Sequence, residues 1–478
     1  MKKNSLFTFM LVFSLSFIIS PGIQAEVKLP SIFGNNMVLQ QEAEVAIWGW
    51  AEAGSMVSVI PGWDSKKYTV KTDPDGKWKL KISTPEAGGP YELSISEGKE
   101  IKLNNILIGE VWLCSGQSNM EMPMKGYWDE PVLGSNDDIL KSGNTNIRFI
   151  SVPRSGKTVP QEDFDGNWKE AAPETVSEFS ATAYYFARLL NNTLNVPVGL
   201  IDVTYGGSSI QAWMSRDIST PFGQWQVPEE GDSIDVPSRT PTGLFYGMLY
   251  PVIGYGIKGC IWYQGETNMH QPSEYEKLFI KMVNEWRSLW QTGEFPFYYT
   301  QIAPYSYAET DTSYFDAKLN SAFIREAQLK LMNMVSNCGM AVLMDTGEKN
   351  CIHPANKEAA GKRLAYWALA KNYGVKGFEY ASPVVDSMHV TGDTAVLTFK
   401  NAPNGLTSFG KELSCFEVAG ADKRFYPAKA FIFRRTVYIK CPEVKKPVAV
   451  RYAFKDFIRG DLYSTGGLPV SSFRTDNW

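Results

Sequence analysis

From Ile106 onward, short continuous apolar runs alternate with amphipathic helical segments, and this alternation limits the possible folds more than any other feature of the chain. The runs cover 106–114, 196–204, 257–263, 297–302 and 340–344, and each gives way to small or polar residues. Helical periodicity occupies about 180–194, 275–290, 317–334 and 357–373. A strand that is apolar on both faces must be covered on both faces. The pattern therefore specifies an α/β unit over 106–382, with a parallel sheet between two layers of helices. In such sheets, ligand sites lie beyond the carboxyl ends of the strands.

The flanking regions read differently. Residues 26–105 alternate over short strands and carry the turn Asp73-Pro74-Asp75-Gly76, which predicts a small β-sandwich-like domain. Residues 383–478 return to strand patterning and form a C-terminal β-rich region. The first 25 residues have the form of a signal peptide: Lys2 and Lys3, an apolar run over 6–19, then Pro21, Gly22 and Ala25. That run is too short to span a bilayer, and no second run of spanning length follows. The expected destination is periplasmic or extracellular.

The formal net charge of −4 becomes −6 without Lys2 and Lys3, and no basic run is present, which argues against nucleic-acid binding. The six cysteines match no metal-site spacing, and neither a metal nor a cofactor is expected. Cys415 with Cys441 and Cys338 with Cys351 are candidate disulfide pairs, and buried thiols are an equal alternative in a chain of this length. Gly405–Lys411 fits a phosphate-loop spacing, but Glu412 stands where Ser or Thr is needed and no helix follows. The 14 Trp and 23 Tyr suit stacking on sugars, although most are expected in the core.

Four segments at strand ends carry candidate chemistry. Ser118, in Gly116-Gln117-Ser118-Asn119-Met120, follows the first run. It is a candidate nucleophile if a base and an oxyanion hole lie near; alone, a Ser here also fits an N-cap or a turn. The chain has three histidines. His353 follows the last run and precedes a helix, which makes it the candidate base; His270 also sits at a strand end, and His389 falls in the late β region. Gly206 and Gly207 allow a backbone N–H to approach a ligand closely. Gln264 and Asn268 each offer an amide donor.

These segments carry a family resemblance. Gly109-Glu110-Val111-Trp112-Leu113-Cys114-Ser115-Gly116-Gln117-Ser118-Asn119-Met120-Glu121-Met122-Pro123 resembles the nucleophile block of the sialate O-acetylesterases, a branch of the SGNH hydrolases. Gly206-Gly207-Ser208-Ser209-Ile210-Gln211-Ala212-Trp213-Met214, Trp262-Tyr263-Gln264-Gly265-Glu266-Thr267-Asn268 and His353-Pro354 with Asn356-Lys357 resemble the later blocks. Gly466-Gly467-Leu468-Pro469 and Ser472-Phe473-Arg474 are similar to the family's tail.

The resemblance implies an SGNH-type α/β/α sandwich and removal of O-acetyl groups from sugars without a metal. It makes Ser118 the nucleophile and His353 the base. The oxyanion hole would use the Ser118 N–H, Gly207 or Gly206, and Gln264 or Asn268. The chain departs from the pattern where SGNH hydrolases place an Asp three residues before the His: here that residue is Asn350. Either Glu348, Asp345 or Glu266 supplies the carboxylate, or a backbone carbonyl orients His353 in a dyad; in a serine protease an Asp-to-Asn change costs roughly 10⁴ in rate. The substrate would be a sialic acid or another acetylated glycan such as xylan. Arg216 and Arg325 are candidate partners for a sugar carboxylate, with a structural role favoured for both. The alternative is a glycan-binding protein with a degenerate esterase site.

Overall fold

A computed structural model describes residues 26–310 and 320–478; the expected leader and residues 317–319 of the third expected helix lie outside the described residues. The centre of the molecule is a sheet of seven strands: β1 (Glu100–Gly116), β2 (Asn144–Ser151), β3 (Lys169–Ala171), β4 (Val198–Thr204), β5 (Gly259–Tyr263), β6 (Phe297–Thr300) and β7 (Cys338–Ala341). Their order is β7-β6-β5-β1-β4-β2-β3, and all neighbours are parallel except β2 with β3.

Side chains of β1 alternate between two cores. Val111 and Leu113 join one apolar cluster, and Trp112 and Cys114 join the other. Helices cover both faces. On one side lie α1 (Ser118–Glu121), α2 (Ala181–Leu194) and α5 (Lys357–Lys371), with α2 packed along α5; on the other lie α3 (Pro272–Trp290) and α4 (Ala322–Leu331), packed on each other. The start of α2 follows from its sequence. Ser180 accepts the Ala183 N–H at 3.1 Å, and Ala183, Phe186, Ala187 and Leu190 fall at helical spacing and are buried.

Strand β1 runs unbroken through the expected boundary at 105/106. Its first half pairs antiparallel with Gly88–Ser96 of the N-terminal region, and its second half enters the central sheet. Asn105, at φ 58°, lies within the antiparallel part, and the change of partner comes between Ile108 and Glu110. The N-terminal region holds a second, two-stranded layer, Glu44–Trp50 with Lys77–Ser83. The C-terminal region contains two four-stranded sheets. All six cysteines are free thiols, so neither candidate disulfide forms. Among the described residues, no helix is long and apolar enough to cross a membrane.

The end of β1 is shaped by backbone crowding. Gly116 has φ +137°, and a Cβ there would stand 2.2 Å from the Tyr263 carbonyl oxygen at the end of β5. Gly116→Ala should therefore combine an unfavourable φ with an overpacked strand junction. The expected loss is roughly 2–5 kcal/mol, read as a lower denaturation midpoint; an unchanged midpoint would contradict this packing.

Candidate active site

Three strand ends and the approach to α5 converge on one cavity of about 670 Å³, lined among others by Ser118, Gly207, Asn268, His270 and His353. Ser118 opens α1 directly after β1. As the first residue of a helix, its N–H has no intrahelical partner and is available to a ligand. The His353 Nε2 lies 2.8 Å from the Ser118 Oγ. On the other side of the ring, Nδ1 lies 2.6 Å from Oε2 of Glu130. Ser118, His353 and Glu130 thus form a continuous chain from hydroxyl to imidazole to carboxylate.

Glu130 corrects the expected source of the carboxylate. Glu348 instead accepts the Ala355 N–H at 2.8 Å and holds the turn ahead of α5. Asp345 is engaged by both terminal nitrogens of Arg363, each at 2.7 Å. Glu266 is buried and accepts from Asn119 Nδ2 at 2.6 Å, and Asn350 is exposed. None of the four touches the His353 ring. Glu130 comes from the loop after α1, where Tyr127 and Glu130 close a small antiparallel bridge.

The oxyanion candidates are separated by the hydrogen bonds they already make. Gln264 is fully buried, and its Nε2 donates to the Ser208 carbonyl at 3.0 Å and to Asn268 Oδ1 at 2.8 Å. Both amide hydrogens are used, so Gln264 orients Asn268 and does not face the cavity; this corrects its expected role as a donor. Asn268 Oδ1 also accepts the Ile210 N–H, and Nδ2 donates to Gln211 Oε1 at 2.9 Å. One Nδ2 hydrogen remains for the cavity. The Gly206 N–H is taken by Glu121 Oε2 at 2.8 Å. Gly207, at φ +69°, lines the cavity, and its N–H has no partner among the described residues. The Ser118 N–H, Gly207 N–H and Asn268 amide are the donors that geometry leaves for an oxyanion.

One wall of the cavity depends on Glu121, which meets Arg154 through two bonds of 2.6 Å each. Tyr127 donates to the Ser118 carbonyl at 3.3 Å and sets its ring edge-on to His353, 5.3 Å between centroids. Arg216 and Arg325 lie off the cavity. Arg216 donates to the carbonyls of Pro228 and Thr158, and Arg325 is buried against Ser321 and Ser472. Sequence reasoning assigned no role to Glu130, Glu121, Tyr127 or Arg154. Among the described residues, no group of three or more His, Cys, Asp or Glu is placed to hold a metal.

Comparison with known proteins agrees with this architecture. Residues 108–369 match the family model of carbohydrate esterases described as sialic acid-specific acetylesterases. The human sialate O-acetylesterase is 29% identical over 409 residues, covering 77% of this chain and 76% of the human protein. The mouse enzyme of the same name is 26% identical over 431 residues. A crystal structure of a carbohydrate acetylesterase from Xanthomonas citri superposes with a TM-score of 0.85 at 34% identity, covering 95% of this chain and all of that one. The fold and the comparisons define a carbohydrate O-acetylesterase. The chain belongs to the sialic acid-specific acetylesterase family of carbohydrate esterases.

Burial lowers the pKa of His353 below the ordinary imidazole value of 6.5, while Glu130 opposes that shift. The neutral ring is the form that can accept a proton, so ester hydrolysis should fall only below that value, as acid protonates the ring. Glu130→Gln removes the main influence favouring the imidazolium. The acid limb of kcat/KM should then move to still lower pH, while the plateau drops by a factor of up to about 10⁴. A pH–rate profile of both forms decides this; a limb that moves upward would exclude Glu130 as the partner of His353.

Proposed function

We propose that the chain removes acetyl groups from sugar hydroxyls through an acetyl-serine intermediate, with Ser118, His353 and Glu130 as its triad. The observation that carries this reading is the pair of contacts made by His353, 2.8 Å to the Ser118 hydroxyl and 2.6 Å to the Glu130 carboxylate. The Ser118 Oγ attacks the acetyl carbonyl carbon as Nε2 of His353 takes the hydroxyl proton. The tetrahedral oxyanion is held by the N–H groups of Ser118 and Gly207 and by the Asn268 amide. Collapse breaks the bond to the sugar oxygen, which leaves with the proton from His353. Water then attacks the acetyl-serine, gives its proton to His353 and releases acetate, and the proton returns to Ser118. Glu130 keeps Nδ1 protonated and stabilises the imidazolium formed in each half-reaction.

The relatives named as sialate O-acetylesterases make sialic acids one substrate class, and acetylated plant glycans such as xylan are the other. Export of the chain through a cleaved leader ending near Ala25 is part of the same proposal, supported by Lys2, Lys3 and the apolar run over 6–19.

Acetate release from acetylated sialoglycan, acetylated xylan and p-nitrophenyl acetate should fall by on the order of 10⁴ or more in Ser118→Ala. Wild-type protein quenched during turnover should carry one acetyl group on the peptide containing Ser118, seen by mass spectrometry. Undiminished hydrolysis by Ser118→Ala would overturn the mechanism, and the preferred polymer identifies the sugar.

A further inference from the structure

A second pocket, of about 380 Å³, lies where the N-terminal sandwich meets the esterase domain, and it shares no lining residue with the catalytic cavity. One wall is the ribbon Glu44–Trp50 with Lys77–Ser83. Its register sets Trp48 opposite Lys79 and Trp50 opposite Lys77. Alternation along a strand places Trp48 and Trp50 on one face, and these cross-strand partners share that face. The facing wall comes from the esterase domain, with Tyr250 and Leu289, which are 37% and 36% exposed. Lys77 is ion-paired with Glu162 across the seam.

The pocket has two chemical characters. Its base is aromatic, formed by the half-buried Trp48 and Trp50. Its rim is charged, with Lys79 5.4 Å from the centroid of Trp48 and Asp73 and Glu162 also lining it. An apolar peptide segment would not require that rim. A phosphate or sulfate would require an excess of cations, whereas Lys77 and Lys79 are matched by Asp73 and Glu162. A neutral pyranose meets both conditions: its C–H face lies on an indole, and its hydroxyls reach charged donors and acceptors around the edge.

We propose that this seam pocket binds a neutral, acetyl-free stretch of glycan and so holds a polymeric substrate beside the catalytic domain. The proposal rests on the reading of the enzyme as acting on glycans, and binding is measured independently of catalysis. Ser118→Ala protein is titrated calorimetrically with xylohexaose, mannohexaose and 3′-sialyllactose. At least one neutral hexasaccharide should bind, and adding Trp50→Ala should weaken that binding about fivefold to tenfold, as expected for one lost stacked aromatic ring. Lys79→Ala should weaken it less.

In the wild-type background, both substitutions should leave p-nitrophenyl acetate hydrolysis within about twofold, which shows that the fold and the catalytic cavity are intact. Neutral-sugar binding that is absent, or indifferent to both substitutions, overturns the proposal. Trp50-dependent binding of sialyllactose alone overturns the choice of a neutral ligand. Failure of the serine mechanism would be seen separately, as acetate release that survives Ser118→Ala.

Discussion

The site is held together by the side chain of Asn119, directly after Ser118. Its Nδ2 donates to Glu266 Oε1 at 2.6 Å and to the Ile352 carbonyl at 3.1 Å, and its Oδ1 accepts from Lys357 Nζ at 2.6 Å. Its own carbonyl accepts from Thr182 Oγ1 at 3.1 Å. Asn119 therefore joins α1, through its buried amide, to the turn after β5, to the loop carrying His353 and to the start of α5, and through its carbonyl to α2. A buried amide left unsatisfied costs about 1–3 kcal/mol, so each of these segments is held in one register relative to Ser118. The 2.8 Å contact between His353 and Ser118 depends on that register.

The same network buries ionisable groups beside Ser118. Burial pushes the Lys357 amine down to about 7 and raises the Glu266 carboxyl, and Asn119 bridges the two. Interiors tolerate such groups best when their hydrogen bonds are made: Lys357 also donates to the Pro354 carbonyl, whereas Glu266 Oε2 has no partner among the described residues. Next to Ser118, ionisable groups thus serve in two ways. Glu266 and Lys357 fix the scaffold from behind, while Glu130 meets the imidazole at the edge of the cavity.

Much of the scaffold was legible in the sequence because buried parallel strands leave continuous apolar runs. Five such runs correspond to β1, β4, β5, β6 and β7. Strand β2 was missed because polar residues interrupt it; Arg148, 2% exposed, donates to the carbonyls of Asn36 and Asn105 and so fills a core position with a charge. Ser118 and His353 were legible because each follows an apolar run. Glu130 was not: it lies in a loop without periodicity, and the residue it meets is 223 positions away. The choice between Gln264 and Asn268 could not be read either, since both follow β5 and only their hydrogen-bond partners distinguish them.

The loop that carries Glu130 has a consequence for assembly. Ser118, Glu121, Tyr127 and Glu130 lie on one short stretch of chain, whereas His353 comes from 235 positions beyond Ser118. Ser118 and Glu130 are close along the chain, so the contacts of His353 with both await the docking of the segment leading into α5. The entropy of closing so long a loop grows only slowly with its length. The return of hydrolysis during refolding would therefore report the seating of the segment ahead of α5 against Ser118, together with the turns after β4 and β5 that carry Gly207 and Asn268.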